Sequence, residues 1–309
     1  MPALHQTLQS LLVGTPVTAA NLTMVPLLSR DAIAPSYLLL DDALDAGLAE
    51  VSEVSDGGHV PELAFLNRSD RDILLVDGEE LVGAKQNRVL NLSLLVAAGQ
   101  RVVIPVSCVE AGRWAWRSQR FEAGRRRLHA SARMEKMRGV SASMRERGER
   151  ASHEVQSAVW RSVAEKMGSY EAESETRSLH EVYASAEHRL AGVRGEFKPL
   201  TGQVGAAFFV GGRLVGLELY DAPATLAKQL PKLVDSVSFD ALEPGVDVRS
   251  PAAPDLAQVK ALLERIASAP AKTYPSVATG EDLRIEADDL HAAALVARDR
   301  VVHLAAFAQ

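Results

Sequence analysis

The sequence predicts an α+β protein: an N-terminal all-β half, built as a sandwich or partial barrel, followed by an antiparallel sheet with helices on one face. Three observations lead there. Between Asn21 and Trp116 the apolar runs are short, rich in β-branched residues and broken by turn formers such as "SDGG", "NRSD" and "AAGQ". From Ala151 the apolar spacing lengthens to that of amphipathic helices. The last third returns to hairpin patterns and closes on "VVHLAAF".

In chain order, "LTMVPLL", "SYLLLDD", "ELAFLN", "DILLVD", "RVLNLSLLV" and "RVVIPVSC" read as strands. The short links "RSD" after Asn67 and "AAGQ" after Val96 predict a hairpin meander over 62–108. Residues 117–150 hold eleven Lys or Arg and four Glu, a local excess of seven positive charges with few large apolar side chains. That composition predicts a flexible basic connection over 119–150. Val155, Val159, Val163 and Met167, then Leu179, Val182, Ala186, Leu190 and Val193, mark two amphipathic helices broken near Gly168 and Ser169. "QVGAAFFVGGRLVGLELYD" is a hairpin whose Gly211 and Gly212 supply positive φ at the turn. Asp221 is placed to cap the next helix, with Pro223 in its first turn and Leu226, Leu230, Leu233, Val234 and Val237 on one face. Another helix begins at Asp255, and "TYPSV", "DLRIEA" and "AAALVARDRVVHLAAF" add strands turned at "RDR". The domain reading is therefore 1–118, β-rich and carrying the candidate site; 119–150, the connection; and 151–309, α+β.

At 309 residues and 47% hydrophobic content the chain is long enough to bury a sizeable core. A net charge of −6 argues against general polyanion binding, because an acidic surface repels a phosphate backbone. The basic window is the exception, and it carries an alternative reading: an RNA contact through Arg125, Arg126, Arg127, Arg133, Lys136 and Arg138. The single cysteine, Cys108, excludes an intrachain disulfide and fits a reducing, cytoplasmic setting. No run approaches about 18 apolar residues, and the first residues lack the basic start of a secretion signal, so no membrane segment or export is expected. Phosphate-loop, nucleophile-elbow and zincin motifs are missing, so no cofactor is named and no metal expected. His180 and His188 stand eight apart on a helix, too far to share a metal, and read as solvated surface histidines. His303 reads as a hydrogen-bonded core or edge residue.

Chemistry concentrates in "ILLVDGEELVGAKQNRVLN", where Glu79, Glu80, Lys85, Gln86, Asn87, Arg88 and Asn91 crowd between apolar runs. Such a set suits an anionic, polyhydroxylated ligand: Arg88 and Lys85 for phosphate, Glu80 for hydroxyls, and Glu79 or Glu80 as acid or base. The same side chains equally suit the holding of a tight loop together. A second segment, "IPVSCVEAGRWAW", adds Cys108 as a thiol that is either reactive or a small buried group, Glu110 and Arg113 in a bend, and Trp114 as a stacking or core residue. A sensor or scaffold role without catalysis remains open beside the ligand-processing one. The apolar C-terminal strands, if at a sheet edge, would allow a homodimer.

"LVDGEELVGAKQNRVLN", "IPVSCVEAGRWAW", "QVGAAFFVGGRLVGLELYD" leading to "KLVDSVSFDAL", and the closing "VVHLAAF" together resemble an uncharacterised prokaryotic family. That family is named for its association with ADP-ribosylglycohydrolases and rhodanese-like phosphatases. The resemblance implies a place in NAD and ADP-ribose metabolism and a nucleotide-like partner, ADP-ribose or NAD-derived. It carries over onto Glu79, Glu80, Lys85, Gln86, Asn87, Arg88 and Asn91, and onto Cys108, Glu110, Arg113 and Trp114.

Overall fold

The computed structural model describes residues 2–31, 33–246 and 253–308. The chain opens with α1 (Pro2–Gln9), β1 (Leu11–Val13), β2 (Val17–Ala19) and β3 (Leu22–Ser29). There follow β4 (Tyr37–Leu39), α2 (Leu40–Asp45), β5 (Ala49–Glu53), β6 (Glu62–Asn67), β7 (Asp72–Leu75), β8 (Glu79–Gly83), β9 (Arg88–Leu90), β10 (Leu94–Val96), β11 (Arg101–Cys108) and β12 (Phe121–Arg127). Next come α3 (Ala130–Arg147), α4 (His153–Ser169), α5 (Leu179–Arg194), β13 (Gln203–Val210) and β14 (Arg213–Tyr220). The chain finishes with α6 (Pro223–Ala241), α7 (Leu256–Ser268), β15 (Ala271–Pro275), β16 (Glu281–Ala287), β17 (Leu290–Ala297) and β18 (Arg300–Ala308). The α+β class holds.

Two compact units emerge, and their limits differ from the expected ones. One comprises Met1–Pro35, Arg189–Ser276 and Gly280–Gln309; the other comprises Ser36–His188 and Val277–Thr279. The N-terminal strands leave the β-rich half because β3 pairs along its length with β13. Residues 119–150 form β12 and α3 instead of a flexible connection. Charge composition misled here because the charges have buried partners, described below.

The first unit is a single antiparallel sheet in the order β1-β3-β13-β14-β18-β17-β16-β15, with β2 beside β3. Alternation sends Val25, Leu27, Phe209, Leu217, Leu304 and Ala306 to one face, where they meet Leu4 and Leu8 of α1 and Val259, Leu262 and Ile266 of α7. Each Val, Leu, Ile or Phe among these, fully buried, contributes about 1.5–3 kcal/mol. α6 packs against β3, β13 and β14; its residues are outside that cluster, so by alternation it covers the other face, the one bearing Met24 and Phe208. Gly211 and Gly212 turn the β13–β14 hairpin with positive φ, and Arg298 and Asp299 do the same between β17 and β18. The cap of α6 is Ala222, without a side-chain bond, in place of Asp221; Asp255 does cap α7, accepting from the Ala257 amide at 2.9 Å. β17 and β18 lie inside the sheet, so they offer no edge for pairing with a second copy.

The second unit holds a six-stranded sheet, β12-β8-β9-β11-β6-β5, curled until β12 and β5 approach each other. A three-stranded sheet, β10-β7-β4, carries a parallel β4–β7 pair. The expected meander over 62–108 is therefore corrected: the chain changes sheet after β6, after β7, after β9 and after β10. Asn67 explains how both short links are used as crossings. Its buried amide donates to the carbonyls of Arg71, Val96 and Ala97, and its oxygen accepts from Ser69, so one side chain binds the two links together. α3 and α4 pack on each other, and α4 packs on β11.

Candidate functional site

The charged cluster is a strand hairpin and not an extended loop. Asp77 and Gly78 turn the chain into β8, which carries Glu79 and Glu80; only residues 84–87 are loop before Arg88 opens β9. The structure does bring the candidate residues together, but it spends most of their polar atoms internally. Glu79 is buried, accepts from the Val76 amide at 2.9 Å, and sits opposite Arg127 in the β8–β12 ladder. The Lys85 ammonium donates to the main-chain oxygens of Asp56 and Gly57. Gln86 bridges the Glu110 carbonyl and Arg88, donating to the first and accepting from the second, each at 3.0 Å. Asn91 donates to the Arg150 carbonyl and accepts from Ser107.

Arg113 is the centre of the loop's support. Its guanidinium donates to the carbonyls of Gly83, Ala84 and Ala115, to Asn87 Oδ1 and to Glu110 Oε2 at 2.6 Å. Glu110 also accepts from the Asn87 amide and from Thr176. Burial works to raise the Glu110 carboxyl, but the bonds from Arg113, Asn87 and Thr176 outweigh it and hold the group below its usual range. Cys108 is fully buried; burial pushes its thiol up against the pull of Arg88, which disfavours a thiolate. Trp114 and Trp116 are both about half exposed, so Trp114 is no core residue.

Under the hairpin lies the fate of the basic window. Asp77 receives the Lys136 ammonium and Arg133 Nε, while Arg127 donates to the Asp77 carbonyl. Lys136 also donates to the carbonyls of Leu90 and Asn91. Desolvation would raise the Asp77 carboxyl, but Lys136, Arg133 and Arg127 together hold it lower than an ordinary aspartate. The RNA reading thereby loses three of its six cations to the interior, and Arg126 is engaged with Glu187.

Glu80 faces the other side of β8. Neither of its oxygens has a hydrogen-bonding partner among the described residues, and His180 Nδ1 stands 3.5 Å from Oε2 as an ion-pair neighbour. Gly124 makes room for it: a Cβ there would stand 2.7 Å from Glu80 Cβ and 2.8 Å from its carbonyl. His180 is half exposed and is not simply solvated. Its imidazole is raised by Glu80, against desolvation and the nearby Arg126 and Arg117. A raised folded value means the pairing contributes stability below the unfolded value of about 6.5 and loses it as pH climbs through the folded value. Melting of the protein and of His180→Gln should thus show a wider gap at pH 6 than at pH 8; an unchanged gap would rule the pairing out.

Beside these groups opens a cleft of about 810 Å³, lined by residues 52–56 and 116–119. None of the seven candidates between Glu79 and Asn91 lines it. Its charged wall comes from Glu53, Asp56 and Arg117, its hydroxyls from Ser52, Ser55 and Ser118, and its aromatic wall from Trp116. Lys85 stands at this wall, its ammonium 5.0 Å from the Trp116 ring centroid and 5.3 Å from that of Trp114. Glu53 was missed in the sequence, although "AEVSE" alternates and puts it in phase with Ala49 and Val51 on the apolar side. Among the described residues no group of three or more His, Cys, Asp or Glu is arranged to hold a metal ion, and no helix is long and apolar enough to cross a membrane.

Comparison with curated proteins and with solved structures gives no match. The family model described as the ARG and Rhodanese-Phosphatase-superfamily-associated Protein domain matches residues 10–307, nearly the whole chain. The chain belongs to that family, as the motifs around Glu79–Asn91 and Cys108–Trp114 led one to expect.

Proposed function

We propose that this protein binds a ribonucleotide of the ADP-ribose or NAD-derived type in the cleft between residues 52–56 and 116–119. The observation that carries the reading is the half-exposed Trp116 on the wall of a polar cleft, with Lys85 held between it and Trp114. A flat base stacks on such a ring, the cation over the ring favours a nearby phosphate, and hydroxyl and carboxylate groups suit a sugar. The family's name supplies the ADP-ribose context, since it records association with ADP-ribosylglycohydrolases. Binding without turnover is the form proposed: Glu79 and Glu80, the acid or base candidates, do not line the cleft, and Glu79 serves its own turn.

Titration of the protein with ADP-ribose, NAD and ADP, followed by calorimetry and tryptophan fluorescence, tests this. ADP-ribose should bind, quench the fluorescence and be recovered unchanged. Trp116→Ala should weaken it about tenfold or more, the usual contribution of one stacked base. Neither heat nor quenching with any of the three would remove the nucleotide reading, and hydrolysed ligand would remove its non-catalytic form.

A further inference from the structure

Glu53 ends β5, and the ladders fix which way it points. Residues paired across antiparallel strands share a face, so Glu53 opposite Leu63, Leu63 opposite Ile104, and Cys108 opposite Arg88 place Glu53 and Arg88 on one face of the curled sheet. There the two meet, with Arg88 Nη2 at 4.0 Å from Glu53 Oε1. The Glu53 side chain is 2% exposed and that of Arg88 is 0% exposed, yet the pair is incompletely bonded. Glu53 Oε1 receives the Lys85 amide at a long 3.4 Å, whereas Oε2 has no partner among the described residues. Arg88 donates through Nη1 to Gln86, and its Nε and Nη2 have no such partner. Glu53 lines the cleft.

Buried charged groups are normally satisfied on all sides, because an unmet donor or acceptor in a low-dielectric interior is costly. We propose that Glu53, backed by Arg88, reads the cis-diol of the ribose next to the stacked base. This role rests on the nucleotide reading above and specifies it further. The chemistry selects the group. A phosphate offers only acceptors and would be repelled by Glu53; an ammonium or guanidinium offers only donors and would be repelled by Arg88. A hydroxyl donates and accepts at once, and two neighbouring hydroxyls do so in two directions. Glu53 Oε2 accepts from the diol, while Arg88, which does not line the cleft, stays behind the carboxylate and its charge turns a cationic ligand away.

The test compares ADP-ribose with its 2′-deoxy and 3′-deoxy forms on the full chain, with Glu53→Gln alongside. At least one deoxy form should bind about tenfold or more weakly, since a hydrogen bond to a charged group is lost. Glu53→Gln should bring ADP-ribose down to the level of that deoxy form while leaving the deoxy form nearly unmoved. Equal affinity for all three ligands overturns the diol assignment and leaves the nucleotide reading standing. Failure of ADP-ribose itself to bind overturns both. Should Glu53→Gln not fold, the ligand series on the unaltered protein decides the question alone.

Discussion

Replacing Asp77 by alanine is expected to cost about 3–5 kcal/mol of folding free energy, the range for removing one member of a buried ion pair. Lys136 is wholly buried and Arg133 nearly so, and both aim at the Asp77 carboxylate; Arg127 is held by its carbonyl. Without the carboxylate, positive charge is concentrated beneath the β8–β9 hairpin in a medium that solvates it poorly. Lys136 keeps the carbonyls of Leu90 and Asn91, which moderates the loss without neutralising the charge. Urea unfolding measures the effect, and a cycle with Lys136→Met isolates the pair: the double change should cost less than the sum of the singles. A loss under about 1 kcal/mol for Asp77→Ala would show that the cluster is not the hairpin's support. The pH dependence has a definite sign. The folded carboxyl lies below its unfolded value, so its contribution is complete above about pH 4 and fades as pH falls through the folded value.

That cluster also shows where sequence reading reached and where it stopped. Alternation and spacing sufficed for the strands around Val25, Phe65 and Leu217, for the α4 and α5 faces, and for the Gly211–Gly212 turn, because each is set by neighbours within a few residues. The basic window failed because the partner of Arg133 and Lys136 lies 56 and 59 residues earlier, beyond any local window. Short links failed similarly: length alone cannot tell a hairpin from a crossing, and the Asn67 side chain that ties the two links together acts across 29 and 30 residues of sequence. At the candidate site, the sequence marked a dense polar group that does come together, but not that Gln86 would be taken up by Arg88 and the Glu110 carbonyl, and Asn87 by Arg113. The cleft is lined instead by Glu53, from a stretch the sequence did not mark, and by Trp116, the last residue of the second marked segment.

Arg113→Ala should be the second large loss, about 2–4 kcal/mol, since five acceptors around the 83–87 loop share this one guanidinium. Three of them are main-chain carbonyls, which no rotation of a neighbouring side chain replaces. Arg113→Lys should recover little of it, because a single ammonium cannot span both the carbonyl row and the Glu110 carboxylate as a planar fork does. Acidification should narrow the gap between wild type and Arg113→Ala. Glu110 is held below its usual range, so its contribution is present above the unfolded value of about 4.3 and disappears as pH falls through the folded one; the variant has already lost the strongest partner. Urea midpoints at pH 7 and pH 4 measure both effects. A lysine variant as stable as wild type would mean that charge alone holds the loop; a gap that stays constant with pH would mean that the carbonyls matter and Glu110 does not. Because Arg113 fixes Gly83 and Ala84, next to Lys85, the alanine variant should also loosen the Lys85 contact with Trp114 and Trp116, seen as a changed tryptophan emission before any ligand is added.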